Sequence, residues 1–596
     1  MFALETGRIT EFKRLKRSLR DYPLYPYLEY FEARAHIAGI TPAQAQAIRD
    51  SMADLHLGKR FYNRWLIIQA RGNHWERYLR YYQPTDNAEA RCYYLRALYR
   101  SGQKSAALDQ VADLWVVGKS QPRACDSLFE VWINAGRLTE DLAWERLHLA
   151  IQANERALGR YLLKFFSGSR ATAARAYYDG HVRPSVVKSS SRFADTEHGR
   201  IALNHGLIRY GNRDAEAAAA AWRSHRDRYG FTEEQKILLD HQMILALARE
   251  GTMPTVEPNT FAAALIEGVA AAAVANQRWV TAQEWIASLP QPARSELRWR
   301  YWLARSKLAS GIDVEDSHVL LDELAGHRHY YGFLAADLLG IEPALNGDAP
   351  ASSAATRMRL RGHPGVRRIT ELYAVSDLVN ARREWNAVLP GLSIDQRATL
   401  IELAIEIGWV DQAILGAGRA QLVDLLHARF PTPFMGMFRR HAFETNMPVS
   451  FLYAISRQES AFNPLAISRS GARGVMQLMP ATARRTAARA RLKRPSNSDL
   501  LDPTINIRIG AHHVAELMDR YDNHRAIVAA AYNAGSARVN RWLADIGTMP
   551  TDVWIERIPY SETRNYVKNV LAFSYVYGTR LDNRVPVLGA NEHEVP

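Results

Sequence analysis

The chain has 596 residues and lacks several features that mark large classes of protein. It has only two cysteines, Cys92 and Cys125, outside any CxxC or Cys/His cluster, so we predict neither a zinc site nor a cofactor. Either both thiols are free and buried, or they form one disulfide in an oxidising compartment. No apolar run reaches the roughly 18 residues of a membrane-spanning helix. The start, "MFALETGRITEFKRLKRSLRDYP", has no apolar h-region, so the chain is either cytoplasmic or a mature exported form with an added Met.

Acidic residues are also scarce relative to basic ones. The formal net charge is +14, and most of the excess is arginine. This balance favours polyanionic partners, of which nucleic acid and an anionic cell-wall polymer fit equally well. A solvated basic surface without any partner is the third interpretation of the same charge.

Strand patterns are nearly absent, and the chain predicts an all-α protein of two to four domains. Apolar helices repeatedly end in glycine, which suits the left-handed position after a helix. Helical pairs of this kind build superhelical arrays. The predicted glycine ends are Gly102, Gly211, Gly251 and Gly311.

Changes in composition divide the chain into three predicted domains. A superhelical domain covers 1–363, a small helical linker domain covers 364–434, and a domain with denser Gly, Asn and Pro covers 435–596. A linker rich in Ala, Pro, Gly and Ser occupies 341–357. The last residues, "NRVPVLGANEHEVP", are predicted to be a poorly ordered tail.

One acidic residue lies on the apolar face of a predicted helix. In "NMPVSFLYAISRQES", with Asn446 as the expected cap, Glu459 follows Leu452 by seven positions and Ile455 by four, which places it on the apolar stripe. Burial and the helix C-terminus both disfavour its ionised form and raise its pKa. A carboxyl group protonated near neutral pH is suited to general acid catalysis. The alternative is a structural ion pair with Arg457 or Arg473.

Three later stretches contain polar groups in apolar surroundings. "SGARGVMQLMP" places Gln477 within an apolar run, and "AYNAG" ends a small-residue helix with Tyr532 and Asn533. "IPYSETRNY" predicts a helix with Ser561 as its cap and Glu562 in its first turn. Buried polar groups need partners, which a core hydrogen bond or a bound sugar would supply.

These stretches, in this order and spacing, resemble the catalytic domain of the soluble lytic transglycosylases, which has a goose-type lysozyme-like fold. The segments "DYPLYPYLEY" (21–30) and "VVGKSQPRACDSLFEVW" (116–132) resemble the large periplasmic members of that family. The resemblance is strong over 435–580 and patchy over 1–432. It implies a U-shaped helical superhelix, closed into a ring by the linker domain, together with a lysozyme-like catalytic domain.

The resemblance also implies roles for individual residues. Glu459 matches the single catalytic acid/base, Tyr532 reaches over the cleft, and Glu562 contacts the peptide stem of the substrate. Ser536 departs from the family, which often has proline after "AYNAG". The full set of substrate-binding positions implied is Ser468, Gln477, Met479, Tyr532, Asn533 and Glu562.

By this resemblance the protein cleaves the bond from N-acetylmuramic acid to N-acetylglucosamine in peptidoglycan without water, leaving a 1,6-anhydro end. It implies a periplasmic monomer with a Cys92–Cys125 disulfide, peptidoglycan as its partner, and neither nucleic acid nor metal. Three alternatives are a lysozyme-type muramidase in the same fold, a helical-repeat scaffold that binds an anionic polymer, and a bifunctional wall-binding and structural role.

Overall fold

The computed structural model describes residues 1–347, 353–544 and 546–596, so residues 348–352 of the predicted linker lie outside the described residues. The described residues are almost entirely helical, with one antiparallel pair of two-residue strands, β1 (Met549–Pro550) and β2 (Glu594–Val595). The prediction of an all-α protein is therefore confirmed.

The chain forms two compact units. The first comprises Met1–Leu247 and Arg367–Val388, and the second comprises Ala248–Val366 and Leu389–Pro596. The predicted division into three domains stays a prediction. Helices up to residue 249 are α1 (Phe2–Glu5), α2 (Ile9–Arg17), α3 (Tyr25–Ala35), α4 (Pro42–Ser51), α5 (His56–Arg71), α6 (Trp75–Tyr81), α7 (Ala88–Arg100), α8 (Lys104–Leu108), α9 (Ala112–Trp115), α10 (Asp126–Asn134), α11 (Glu140–Gln152), α12 (Arg156–Leu162), α13 (Gly168–Val182), α14 (Glu197–Gly211), α15 (Ala215–His225) and α16 (Glu233–Arg249).

The later helices are α17 (Ala263–Ala275), α18 (Trp279–Ala287), α19 (Leu297–Ser310), α20 (Val314–Ala325), α21 (Tyr330–Leu339), α22 (Ala354–Gly362), α23 (Pro364–Ala374), α24 (Leu378–Val388), α25 (Ile394–Glu406), α26 (Val410–Arg419), α27 (Leu426–Arg429), α28 (Met435–Glu444), α29 (Val449–Ser460), α30 (Pro480–Arg489), α31 (Pro503–Arg520), α32 (Arg525–Ala534), α33 (Ser536–Ala544), α34 (Thr551–Arg557) and α35 (Ser561–Arg580). Short 3₁₀ turns lie between them, at Ile37–Gly39, Arg123–Cys125, Leu163–Phe165, Pro184–Lys188, Ser190–Arg192, Pro258–Thr260, Ala293–Ser295, Leu389–Gly391 and Asp499–Leu501.

In the first unit, helices pack mainly against their neighbours in sequence, as a helical array requires. The segment Arg367–Val388 joins this unit through hydrogen bonds from the N-terminal tyrosines. The Tyr22 hydroxyl donates to Glu371 at 2.5 Å, and the Tyr27 hydroxyl donates to Glu384 at 2.8 Å. A disulfide joins Cys92 in α7 to Cys125, immediately before α10.

The glycine pattern predicts most of the helix ends it marks. Gly102, Gly251 and Gly311 have φ values of 89°, 103° and 70°, in the left-handed region. Gly211 is different, because it is the last residue of α14 and has no positive φ. A Cβ at Gly211 would lie 3.0 Å from the Ala246 Cβ, so close packing of two helices explains this glycine.

The core of the second unit contains α29, which packs against α35 and α28. Residues Ser450–Ser456 of α29 are all buried, and α32 packs on α35 beside them. This packing brings one end of each of α29, α32 and α35 together, which positions the candidate site.

The prediction of a disordered C-terminal tail is wrong. Glu592 forms a buried ion pair with Arg525 in the first turn of α32, with oxygen–nitrogen distances of 2.5–3.0 Å. Val595 is fully buried in β2, and Val587 and Leu588 are also buried. The polar, proline-containing composition predicted disorder, but the buried pair and the strand hold the segment in place.

Candidate active site

Glu459 lies at the C-terminal end of α29, on the stripe that the sequence predicts. This residue is half-buried. Loss of hydration on burial raises the pKa of Glu459 to about 7, a hydrogen bond from Tyr566 partly opposes the rise, and the charge of Glu562 adds to it. With a pKa raised this far, the carboxyl group can hold a proton near neutral pH, as a general acid needs.

The structural alternative, an ion pair with a nearby arginine, is not what the structure contains. Among the described residues Glu459 forms no ion pair. Arg457 instead donates from Nε to the Arg429 carbonyl at 2.9 Å and lies over the rings of Phe430 and Phe573. Glu459 accepts its hydrogen bond from the Tyr566 hydroxyl, at 2.7 Å.

The backbone turns sharply right after the glutamate. Ala461 and Phe462 both have left-handed conformations, with φ values of 52° and 66°, which is uncommon for residues with side chains. The Ser460 hydroxyl donates to the Val475 carbonyl at 2.6 Å and holds the turn. At the other end of α29 the predicted cap is wrong, because Asn446 is itself left-handed and Pro448 precedes the first helical residue.

A tight loop from Ala466 to Leu478 faces this helix end. Gly474 has φ 77°, and a Cβ there would lie 2.1 Å from the Leu500 carbonyl oxygen, so only glycine fits. Asn506 of α31 holds the loop by accepting from the Met476 N–H at 2.8 Å and donating to the carbonyls of Arg473 and Leu500 at 2.9 Å. Three hydrogen bonds from one fully buried side chain make the loop rigid.

Gln477 lies in this loop, and its side-chain amide nitrogen is already hydrogen-bonded to the backbone. Its Nε2 donates to the carbonyls of Ala466 and Gly474 at 3.1 and 3.0 Å, which leaves Oε1 as the group available to a ligand. Ser468 is exposed in the same loop and accepts from the Ala472 N–H at 3.0 Å, and Met479 is exposed just after it. No hydrogen bond joins Ser468 or Met479 to Glu459 within the described part of the chain.

Helix α32 brings the "AYNAG" residues to the same place. The Tyr532 hydroxyl donates to the Met476 carbonyl at 2.7 Å, directly beside Gln477. Burial and the nearby Glu459 carboxylate raise the pKa of Tyr532 well above its usual value, so the hydroxyl stays protonated. Asn533 accepts from the Thr563 hydroxyl at 2.7 Å, which ties α32 to the start of α35.

Helix α35 supplies Glu562 and a residue that the sequence analysis missed. Glu562 is exposed in the first turn and close enough to Glu459 to affect its pKa. Tyr566, one turn later on the same face, is the residue that hydrogen-bonds Glu459. Its position four residues after Glu562 is the sequence signal that could have identified Tyr566 as a site residue. Ser561 does not cap the helix as predicted, since it is the first helical residue and Tyr560 precedes it.

A cavity of about 720 Å³ lies beside the site, along another face of α35; we call it the α35 cavity. Asn569 lines it and donates to Gln458, the neighbour of Glu459, at 3.2 Å. Among the described lining residues, the one acidic side chain is Glu296. The cationic and aromatic lining residues are Arg298, Arg328, Arg429, Lys568, His329, Tyr330, Tyr331, Phe333, Phe430 and Phe573.

No group of three or more metal-ligating side chains occurs in the ranges that the structure describes. No helix in those ranges is both long and apolar enough to cross a bilayer.

Family models match the C-terminal part of the chain. The model of the transglycosylase SLT domain matches residues 436–555, and that of the soluble lytic murein transglycosylase L domain matches 359–426. The model of the soluble lytic transglycosylase helical domain matches 557–585, which includes all of α35.

Similar proteins cover nearly the whole chain. The soluble lytic murein transglycosylase of Escherichia coli K12 is 30% identical over 603 residues, spanning 99% of this chain and 93% of the relative. That of Salmonella typhimurium is 31% identical over 587 residues, spanning 96% and 90%. The lytic transglycosylase Slt of Pseudomonas aeruginosa, solved as an inactive Glu-to-Gln mutant, has a TM-score of 0.85 at 31% identity, covering 99% of this chain and 98% of that one. The 70 kDa Slt70 of E. coli has a TM-score of 0.85 at 29% identity, covering 99% and 97%.

Proposed function

Because the chain belongs to the soluble lytic murein transglycosylase family, we propose that it is a peptidoglycan lytic transglycosylase that works through Glu459. The bond cleaved is the β-1,4 link from N-acetylmuramic acid to N-acetylglucosamine, and the product carries a 1,6-anhydro end. The observation that carries this proposal is the state of Glu459, a carboxyl group that has a pKa of about 7, accepts a hydrogen bond from Tyr566 and forms no ion pair among the described residues.

In the first step Glu459 protonates the leaving glycosidic oxygen. The Tyr566 hydroxyl occupies Oε1, so Oε2 is the oxygen free to face the sugar. Tyr566 orients the carboxyl group and stabilises the carboxylate that remains after proton transfer. Such general acid help contributes about 10² to 10⁴-fold to a rate.

The nucleophile in this scheme belongs to the substrate. The carbonyl oxygen of the muramic N-acetyl group attacks its own anomeric carbon as the glycosidic bond breaks. Gln477 and Tyr532 use their donor hydrogens on backbone carbonyls, so each offers an acceptor to the substrate. Accepting the acetamido N–H increases electron density on the acetamido oxygen and directs it at the anomeric carbon. Ionised Glu459 then takes the proton of the 6-hydroxyl, whose oxygen attacks the anomeric carbon and displaces the acetamido oxygen, so that the anhydro ring closes and the N-acetyl group is restored.

A lysozyme-type hydrolase is the second candidate, favoured by one observation. Glu562 is a second carboxylate near Glu459, and ordinary glycosidases use two. In a hydrolase Glu562 would activate water, and the product would have a reducing end. Its exposure at the start of α35 is better suited to a contact with a polar substrate group.

Substrate choice depends on the groups beside the reacting sugar. Peptide stems carry carboxylates and an amine, and the α35 cavity has four cationic side chains among its lining residues. We assign stem recognition to this cavity together with Glu562. The lysine among these side chains, Lys568, is held by the buried Glu556 at 2.6 Å, so the wall is formed before a ligand arrives.

We further propose that the protein acts in the periplasm as a monomer, with peptidoglycan as its partner. The disulfide and the basic surface are compatible with an oxidising compartment and an anionic polymer. The three-domain division at 363 and 434 is part of this proposal.

Digestion of purified sacculi tests the proposal. Wild-type protein should release soluble muropeptides, and Glu459→Gln should reduce the rate by at least 100-fold. Asp519→Asn is the matched control, because Asp519 is an exposed carboxylate on α31 with no hydrogen bond to a described residue. Full activity of Glu459→Gln, or an equal loss in both variants, would contradict the role of Glu459.

A further inference from the structure

A second cavity, of about 600 Å³, lies in the first unit; we call it the Arg146 cavity. It is enclosed by α10, α11, α12, the end of α9 and the 3₁₀ turn Leu163–Phe165. The disulfide at Cys125 holds the chain immediately before α10, so this wall is covalently anchored to α7.

Arg146 is the unusual residue in this cavity. Its side chain is buried, with 4% of the residue exposed, yet its Nε lies buried with no hydrogen-bond partner among the described residues, and it forms no ion pair there. Its guanidinium lies over the Trp115 ring, 4.4 Å from the centroid. Burial of an arginine without an acceptor is unfavourable, and an anionic ligand would supply the missing partner.

The charges of the other lining residues indicate which groups the rest of the ligand carries. Lys164 lies over Tyr161 at 4.1 Å and provides a second cation, and the Tyr161 ring is 47% exposed at the cavity. Asp126 and Glu130 are exposed on α10 and line the cavity as well. Acids and cations on the same walls fit a zwitterion with an apolar body better than a phosphate, which the acids would repel.

We propose that the Arg146 cavity is a second, non-catalytic site for the peptide stem of murein, with Arg146 binding a stem carboxylate. This rests on the proposed function, because the polymer cleaved at Glu459 presents such stems along its length. Lys164 contributes to carboxylate binding, and Asp126 or Glu130 receives the stem amine. Binding the same polymer at a second site raises the effective concentration of the polymer at the catalytic site without adding contacts there.

Fluorine NMR of full-length protein labelled with 5-fluorotryptophan tests the site directly. The Trp115 resonance, assigned with Trp115→Phe, reports on the ring beneath Arg146. A purified anhydro-disaccharide tetrapeptide should shift this resonance saturably, while the same disaccharide without peptide, or inorganic phosphate, should not. Arg146→Gln should weaken the apparent Kd by roughly 10-fold or more, the usual effect of losing a hydrogen bond to a charged group.

Variants and controls separate binding from structure. Arg146→Lys should recover part of the affinity, and Arg160→Gln, which removes an exposed charge on α12, should leave it unchanged. Without ligand, Arg146→Met should unfold at a denaturant concentration no lower than wild type, whereas a purely structural arginine would be destabilising to remove. Tyr161→Ala, at a largely exposed position, should also weaken the Kd and serves if Arg146 variants fold poorly.

Three results would overturn the inference: no shift of the Trp115 resonance, an equal shift with peptide-free disaccharide or phosphate, or an unchanged Kd in Arg146→Gln. Sacculus digestion by the same wild-type sample separates the two proposals. Digestion without a Trp115 shift refutes the second site alone, and absence of digestion refutes the proposed function.

Discussion

Replacing Glu459 by glutamine should change the pH dependence of stability in a way that the site geometry dictates. Burial raises the pKa of Glu459 from 4.5 to about 7 in the folded protein. Between these pH values the folded state holds one proton more than the unfolded state at this group. The free energy of unfolding therefore falls as the pH rises through this range. Above about pH 7 the loss due to Glu459 is complete.

The size of the effect follows from the same pKa difference. At about 1.4 kcal/mol for each pH unit, the wild-type glutamate lowers the free energy of unfolding by about 3 kcal/mol at pH 8 relative to pH 4. Glutamine has nearly the same shape and accepts the Tyr566 hydrogen bond, but it has no charge to bury. Glu459→Gln should thus match wild type at pH 4 and be about 3 kcal/mol more stable at pH 8.

Native-state amide hydrogen exchange of peptides from α29 measures this effect within the second unit, separately from the stability of the first. Wild type, Glu459→Gln and the surface control Asp519→Asn are compared at pH 5 and pH 8. The reasoning is refuted if α29 of Glu459→Gln exchanges as fast as wild type at pH 8, or if Asp519→Asn gives the same protection.

Three further predictions concern the site and the fold. Tyr566→Phe removes a hydrogen bond that lowers the Glu459 pKa, so the alkaline limb of the rate profile should move to higher pH and kcat should fall; an unmoved limb contradicts this contact. Glu562→Gln removes a charge that raises the Glu459 pKa, so the alkaline limb of the rate profile should move to lower pH. Glu562→Ala should slow cleavage of peptide-bearing strands far more than cleavage of stripped glycan. Equal losses on both substrates would refute the role of Glu562 in stem choice. Denatured, unreduced protein should show no free thiols, and the variant Cys92→Ser with Cys125→Ser should lose about 3 to 4 kcal/mol of stability by the loop-entropy relation for 33 residues; two titratable thiols would exclude the bond.

The part of the site that sequence predicts is the part set by local periodicity. Glu459 stands on an apolar helical stripe, and Gln477 stands in an apolar run, so both are conspicuous without any structure. Tyr566 and Asn506 are ordinary residues in their own helices. They become important only through contacts with residues 107 and 30 positions away.

The wrong predictions also arise from backbone conformations and distant contacts that local sequence does not reveal. Asn446 and Ser561 have cap-forming side chains, but the backbone at Asn446 is left-handed and α35 already includes Ser561. The C-terminal tail has the composition of a disordered segment, and the ion pair of Glu592 with Arg525 that orders it spans 67 positions. Local sequence carries no signal of such distant partners.

The measurement that tests the central claim most directly is the mass of the muropeptides that the wild-type protein releases from sacculi. If the substrate's own 6-hydroxyl is the acceptor and Glu459 serves both steps, the released glycan ends are 1,6-anhydro sugars, each lighter by one water than the hydrolytic product. Mainly reducing-end products would show that water is the acceptor and would contradict the transglycosylase mechanism.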